Sequence, residues 1–197
     1  MVNTTLYLIK NNYVFNRLCF KSSVRMKSVV LKRNEEEFMS LAKTLSATII
    51  GQDVSSKECE VLSAAFTQKK LSIGDVLFEE GTRDETLYLL VSGKLEVLKV
   101  LSNNMTIHID TLKEGSMTGE LSFIDGNTHT MRVIAKKDSE VLLLHKDAFE
   151  NLVEQHPMLT YHVMRSILRY SHVMQRKINA KYLEMHRMVQ NQYTAQY

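Results

Sequence analysis

The spacing of apolar residues divides the chain near residue 68, where a helical period gives way to a shorter one. Before this point, two stretches place apolar side chains every three or four residues, which predicts two helices. The first helix covers about residues 35–51. The second follows Ser55, whose spacing to Glu58 fits a capping box. The apolar positions of the two helices are Phe38, Leu41, Leu45, Ile49, Val61, Leu62, Ala65 and Phe66.

Apolar residues between positions 71 and 144 alternate or cluster over short runs, as they do in strands. Six of the seven glycines lie from Gly74 to Gly126, where tight turns need a positive φ. Asn103 and Asn104 are predicted to form a hairpin turn. About eight short strands with frequent turns predict a mainly β fold with flanking helices, namely a jelly-roll β-barrel.

The last part of the chain is predicted to be helical. A short helix covers residues 146–154, and Pro157 then starts a long helix that runs to about residue 192. Such a helix spans roughly 54 Å, which is more than one small β domain can cover. Its apolar stripe therefore predicts a homodimer, with Tyr170 and Met174 at or near the contact. The stripe consists of Val163, Ile167, Tyr170, Met174, Ile178, Tyr182, Met185 and Val189.

Charge is distributed unevenly along the chain. Residues 1–34 contain seven basic and no acidic residues, whereas the other 163 residues contain 18 basic and 22 acidic ones. A neutral-to-acidic body is not a general nucleic-acid-binding surface. The basic segment is interpreted as a flexible extension, as a targeting or membrane-surface arm, or as sequence upstream of a start at Met26. The predicted domains are this extension at 1–33, a jelly-roll domain with its N-terminal helices at 34–156, and the long helix at 157–197.

Composition sets further limits on the class of protein. No run of 18 apolar residues occurs, so the sequence predicts no membrane span. Hydrophobic residues make up 44% and charged residues 24% of the chain, which is ordinary for a soluble protein. The two cysteines, Cys19 and Cys59, show no paired spacing, which indicates reduced thiols and a cytoplasmic location.

One loop in the middle of the chain is the best candidate for a binding site. Gly119 to Ser122 are predicted to form a short helical turn whose backbone N–H groups converge on an anion. Gly119 permits a positive φ, and the Glu120 carboxylate can accept a hydrogen bond from a ligand hydroxyl. His129 and Thr130 follow and precede a predicted strand. This pattern fits a loop that closes around a phosphate, and it also fits an ordinary turn between two strands.

Three motifs occur in the order that is typical of one family. They are GDVLFEEG from Gly74, the pattern L-Y-x-x-x-x-G from Leu87 to Gly93, and the G-E-L sequence from Gly119. With helices on both sides, they resemble the cyclic nucleotide-binding domain of catabolite activator proteins and kinase regulatory subunits. The resemblance covers about residues 71–176. It implies a jelly-roll barrel flanked by helices, in agreement with the hydrophobic pattern.

The resemblance also implies roles for the phosphate-binding cassette, which begins at Gly119. The carboxylate of Glu120 is expected to accept from a ribose hydroxyl. Backbone N–H groups around Leu121 and Ser122 are expected to face the cyclic phosphate. Thr130 occupies a position from which some members of the family touch the purine.

Two positions depart from the family pattern. Thr118 stands where an aromatic residue usually precedes the glycine, and His129 stands where an arginine usually pairs with the phosphate. Arginine offers a permanent charge and a planar fork, whereas histidine offers one or two donors and is largely neutral at pH 7. Arg132 is expected to point to the opposite face of its strand. The cassette is therefore degenerate, which predicts weak binding of cAMP or cGMP, a different ligand, or an empty pocket.

These observations predict a non-enzymatic regulatory or sensory module that needs no resident cofactor. The alternative keeps the fold but assigns a vestigial pocket to a structural or dimerisation module. A DNA-binding regulator is disfavoured because few residues follow the long helix, too few for a helix-turn-helix. A metal enzyme is disfavoured because His108, His129 and Glu120 lack a metal-ligand spacing.

Overall fold

Two helices precede the strands in the computed structural model of the chain, which describes residues 35–102 and 105–194. They are α1 (Glu35–Ser46) and α2 (Ser56–Ser63), with a 3₁₀ turn (Ile50–Gln52) between them. The capping box is confirmed, because the Ser55 hydroxyl accepts from the backbone N–H of Glu58 and the Glu58 carboxylate accepts from that of Ser55. Helix α1 ends about five residues earlier than predicted. The hydroxyls of Ser46 and Thr48 donate to backbone carbonyls three residues back, which competes with the helical pattern.

In the part of the chain that the structure describes, eight strands form two four-stranded antiparallel sheets, which confirms the predicted mainly β fold with flanking helices. One sheet has the order β1-β8-β3-β6 and the other the order β2-β7-β4-β5. The predicted turn at Asn103-Asn104 lies outside the described residues, between the paired strands β4 and β5. The strands are β1 (Phe66–Leu71), β2 (Val76–Phe78), β3 (Thr86–Ser92), β4 (Leu95–Val100), β5 (Thr106–Leu112), β6 (Met117–Thr118), β7 (Arg132–Ala135) and β8 (Ser139–His145).

Strand β3 supplies side chains to both parts of the hydrophobic core. Leu87 and Leu89 pack in a cluster with the N-terminal helices and the long helix, while Tyr88 and Leu90 pack in a second cluster with strands of both sheets. This division follows from the period of two along a strand, which sends successive side chains to opposite faces. Because β3 is buried on both sides, its sequence reads as a continuous apolar run.

The C-terminal part forms α4 (Lys146–Glu150) and the long helix α5 (Pro157–Thr194). Helix α4 is shorter than predicted, and Pro157 begins α5 as predicted. Helix α5 has 38 residues, or about 57 Å of length. The first half of its apolar stripe is buried by the same chain, including Tyr170 at 7% exposure. Tyr170 therefore belongs to the core of its own chain, and the predicted contact between two copies at or near Tyr170 and Met174 stays a prediction.

The second half of the stripe is exposed in the single chain. Its members are 44–65% exposed. We refer to them as the exposed stripe: Ile178, Tyr182, Met185 and Val189.

A buried carboxylate fixes the start of α5 against the 3₁₀ turn. The Asp53 side chain, 1% exposed, accepts hydrogen bonds from Nε of Arg165 at 3.0 Å and from Oγ of Ser166 at 2.9 Å. Arg169 places Nη1 3.0 Å from the second carboxylate oxygen. Burial raises the pKa of Asp53, but the hydrogen bonds from Arg165 and Ser166 outweigh burial and hold this pKa below its ordinary value. This contact sets the direction in which α5 leaves the domain.

The predicted N-terminal extension, residues 1–33, lies outside the described residues. The predicted domain boundaries stay predictions. Within residues 35–102 and 105–194, no helix has the length and hydrophobicity that crossing a membrane requires.

Candidate functional site

The cassette begins with a glycine that no other residue could replace without strain. Gly119 has a φ of +78° and precedes helix α3 (Glu120–Asp125), so the predicted helical turn is confirmed. A Cβ at Gly119 would lie 2.5 Å from the carbonyl oxygen of Thr86 and 2.9 Å from the ring of Tyr88. Both the backbone angle and the close approach to β3 therefore require glycine here.

The six predicted site residues line one cavity of about 510 Å³. Helix α3 and the loop before β7 contribute these residues, the sheet β2-β7-β4-β5 forms a second wall, and α5 forms a third. Most of the lining is apolar, including Phe78, Leu112, Met117, Val133 and Met174. The predicted site residues on the wall are Gly119, Glu120, Leu121, Ser122, His129 and Thr130.

The polar groups of α3 differ in their surroundings. Glu120 is half-buried, and burial raises the pKa of its carboxyl above the ordinary value, while a hydrogen bond from its own backbone N–H and, less strongly, nearby His129 offset part of the rise. Ser122 is 3% exposed, and its Oγ has no hydrogen-bond partner in the part of the chain that the structure describes. Leu121 lies between them and is 60% exposed. The part of the wall formed by α3 thus combines a half-buried carboxyl group with an exposed leucine side chain.

His129 is held by its neighbours on the cavity wall. Its ring stacks on Phe78 with centroids 3.8 Å apart, and Nε2 lies 3.0 Å from Oδ1 of Asp84. The other oxygen of Asp84 accepts a hydrogen bond from the Tyr88 hydroxyl at 2.5 Å. Burial, together with that hydrogen bond, raises the pKa of Tyr88. The imidazole therefore has an acidic partner in the protein itself.

Two neighbouring polar residues complete the loop. The carbonyl oxygen of Thr130 accepts from Nζ of Lys99 at 3.1 Å, and the Thr130 side chain is exposed. Arg132 places Nε 3.1 Å from Oε2 of Glu79, so its guanidinium pairs on the strand rather than replacing the missing cassette arginine.

Helix α5 adds residues to the cavity that the sequence did not indicate. Tyr170 lines the wall and hydrogen-bonds the backbone of Met117, and burial raises the pKa of its hydroxyl. Lys177 and Lys181 also line the cavity, and Nζ of Lys181 lies 3.5 Å from Oδ1 of Asp110. Their periodic position on α5 matches that of any solvated helix face, so no sequence signal singles them out.

The candidate metal residues do not converge. His108 places Nε2 2.8 Å from the Thr111 hydroxyl, whereas His129 pairs with Asp84. Among the described residues, no group of three His, Cys, Asp or Glu side chains could hold a metal ion.

The region that contains the strands matches a known protein family. Residues 68–156 match the model of the cyclic nucleotide-binding domain, a range that contains seven of the eight strands completely and the entire cassette. Residues 68–156 belong to the cyclic nucleotide-binding domain family. The family inferred from the three motifs is thereby confirmed. Within this cyclic nucleotide-binding domain, His129 occupies the position at which the family pattern has an arginine that pairs with the phosphate.

The relatives of this cyclic nucleotide-binding domain include regulatory proteins. The anaerobic regulatory protein of Bacillus subtilis is 29% identical over 126 residues, which cover 64% of this chain and 53% of the relative. The cAMP-dependent protein kinase regulatory subunit of Hypocrea atroviridis is 26% identical over 141 residues, which cover 72% of this chain and 28% of the relative. The chain thus spans about half or less of these relatives. Family and relatives support a regulatory or sensory module.

A solved structure agrees with the fold. A cyclic nucleotide-binding domain from Methylobacillus flagellatus superimposes with a TM-score of 0.68 at 22% identity. The match covers 76% of this chain and 84% of that one. Since the match extends beyond residues 68–156, helices outside the family match also belong to the shared fold.

Proposed function

We propose that the chain is a non-enzymatic sensory module whose cavity binds a cyclic nucleotide weakly, or binds a different small ligand. The observation that carries this proposal is the convergence of all six cassette residues on one cavity of about 510 Å³. A sensory module needs a site that is accessible to ligand and connected to an output element. Here α5 both lines the cavity and extends beyond the domain.

Weak binding of cyclic nucleotides follows from the residue at position 129. Removing one member of a buried charge pair costs about 2–5 kcal/mol, which corresponds to roughly thirtyfold to several thousandfold in affinity. His129 also faces Asp84 at 3.0 Å, so a phosphate would compete with a carboxylate for the imidazole. Micromolar affinity would therefore fall toward the millimolar range.

We also propose that the chain forms a homodimer through α5. The exposed stripe continues the buried stripe of the same helix at helical spacing, and a second copy would present an identical apolar seam. The alternative function, a dimerisation module with a vestigial pocket, rests on this same surface. We place the module in the cytoplasm, since Cys59 is a buried free thiol and the cysteines show no disulfide spacing.

Thermal unfolding with added ligand tests whether the cavity binds. A ligand at ten times its Kd stabilises the folded state by about 1.4 kcal/mol, which raises the Tm of a chain of this size by about 3–6 °C. We expect such a shift with cAMP or cGMP only at millimolar concentration, and its loss in Glu120→Ala. Unchanged melting with every cyclic nucleotide and nucleoside would favour the vestigial pocket.

A further inference from the structure

The first half of α5 carries apolar side chains on the side that faces away from the domain. Their spacing of three or four residues places them on one face of the helix, opposite to the buried residues Val163 and Tyr170. They are 37–61% exposed, and large apolar side chains that cluster on a surface indicate a site of interaction. This face is separate from the exposed stripe, which begins at Ile178. We refer to it as the outer face: Met158, Tyr161, Met164 and Leu168.

A row of arginines lies beside the outer face. Arg165, Arg169 and Arg176 follow one another at spacings of four and seven residues, which keeps them on one side of α5. Arg165 and Arg169 share the single carboxylate of Asp53, and both guanidinium groups are about half exposed. Arg176 is exposed. The sequence has no acidic residue from position 155 to position 183, so this row keeps a net positive charge at the surface.

The charges disfavour a second copy and a membrane as the occupant of the outer face. A symmetric contact brings the same surface of two copies together, and here it would place two arginine rows against each other. An anionic membrane is a broad plane, and the domain beside the outer face, residues 35–156, contains 12 basic and 21 acidic residues that such a plane would repel. A single helix is only about 10 Å wide, which is comparable to the Debye length in physiological salt. It can therefore contact the arginine row while the acidic domain stays screened.

We propose that the outer face binds an acidic amphipathic helix of a partner protein. The apolar side of such a helix packs on the four exposed side chains, and its carboxylates pair with Arg165, Arg169 and Arg176. Apolar side chains that recur over successive helical turns are the usual anchors when a helix binds to another protein. None of these residues lines the cavity, so the proposal is independent of whether the cavity binds a nucleotide.

Fluorescence anisotropy with the full chain and synthetic peptides tests the class of partner. The probe is a labelled peptide of about 15 residues, long enough to form a helix, with leucines along one face and glutamates elsewhere. The control peptide has lysines in place of the glutamates. We expect the acidic peptide to bind at least about tenfold more tightly than the basic one, with a smaller difference at high salt. Absence of binding, equal binding of both peptides, or binding to phosphatidylserine vesicles without binding to the acidic peptide overturns the proposal.

Two glutamate variants locate the binding surface. Leu168→Glu removes an apolar contact from the outer face and places a negative charge beside the arginine row, so it should weaken binding of the acidic peptide by at least about tenfold. Met185→Glu makes the same change on the exposed stripe and should leave this affinity unchanged. Both side chains are more than half exposed, so both variants should retain the fold, which thermal unfolding checks. Wild-type affinity in Leu168→Glu, or an equal loss in both variants, would contradict binding at the outer face.

Discussion

Gly119 and Gly74 both adopt a positive φ, but only Gly119 is also confined by neighbouring atoms. Their φ angles are +78° and +89°. A Cβ at Gly74 would meet no atom within 4 Å, whereas one at Gly119 would lie 2.5 Å from the backbone of Thr86. A comparison of the two glycines therefore distinguishes the energetic cost of a strained backbone from the cost of the steric clash at the cassette.

Alanine at each glycine should measure this difference. Gly74→Ala is expected to lower the free energy of unfolding by about 1–2 kcal/mol, the cost of a left-handed alanine. Gly119→Ala adds an overpacking cost of about 1–3 kcal/mol and displaces the cassette from β3. Urea unfolding of both variants provides the comparison. Equal losses would show that the close approach to Thr86 is relieved without cost.

Single residues differ in how far the sequence predicts them. The glycines of the strand region could be predicted, because a tight turn leaves a local signal in residue type and spacing. The surroundings of His129 could not. Asp84 lies 45 positions away along the chain, and Phe78 stacks on the ring from strand β2. Only the tertiary fold brings these groups together, so the sequence indicated a missing arginine but not what holds the histidine.

At the scale of elements, the contact between Asp53 and α5 determines where the long helix points. Its carboxylate is buried while Arg165 and Arg169 remain about half exposed. The degree of burial of this ion pair is thus intermediate between that of a surface pair and that of a fully buried pair. Because α5 forms one wall of the cavity, this contact also supports the site.

Asp53→Asn is expected to destabilise the fold by about 1–3 kcal/mol, because the amide loses charge-assisted hydrogen bonds but keeps the volume. The pKa of Asp53 is lowered in the folded state, so its contribution is present above the unfolded pKa of about 4 and is lost as pH falls through the folded pKa. Wild-type stability should therefore fall more steeply below pH 4 than that of the variant. Urea unfolding at pH 3–7 measures both.

Glu154→Gln is a suitable control for the change of charge, since Glu154 is exposed in the turn after α4. It should leave the free energy of unfolding within about 0.5 kcal/mol of wild type. If Asp53→Asn shows equally small effects at every pH, the buried carboxylate does not anchor α5.

The sequence predicts the helices themselves better than it predicts which of their side chains are buried. The period of α5 indicated a long helix that begins at Pro157, and the structure agrees. The same period could not indicate where along α5 the burial ends. The apolar residues continue at one spacing from the half of the helix that packs on the domain into the exposed stripe. Tyr170 illustrates this limit: periodicity placed it in a seam, and the tertiary fold placed it in the core. Helix α1 ended early because local hydroxyl bonds at Ser46 and Thr48 competed with the helix.

For the whole molecule, the exposed stripe predicts self-association. A double variant, Ile178→Glu with Met185→Glu, places charges in the seam and should convert a dimer to a monomer. Leu183 is 55% exposed on another side of the same helix turn, so Leu183→Glu should leave the dimer intact. Light scattering at tens of micromolar gives the masses. A monomeric wild-type chain would contradict the proposed homodimer.

If this cavity is a cyclic nucleotide site that lacks only its cation, calorimetry with cAMP should show a gain in affinity for the His129→Arg variant. We expect the arginine variant to bind cAMP at least about tenfold more tightly than wild type; the full gain of a buried charge pair is reduced because Asp84 also faces position 129. Thr130→Arg is the matched control, with the same charge one position away on an exposed residue, and it should gain far less. If His129→Arg binds cAMP no better than wild type, or no better than Thr130→Arg, the cavity is not such a site.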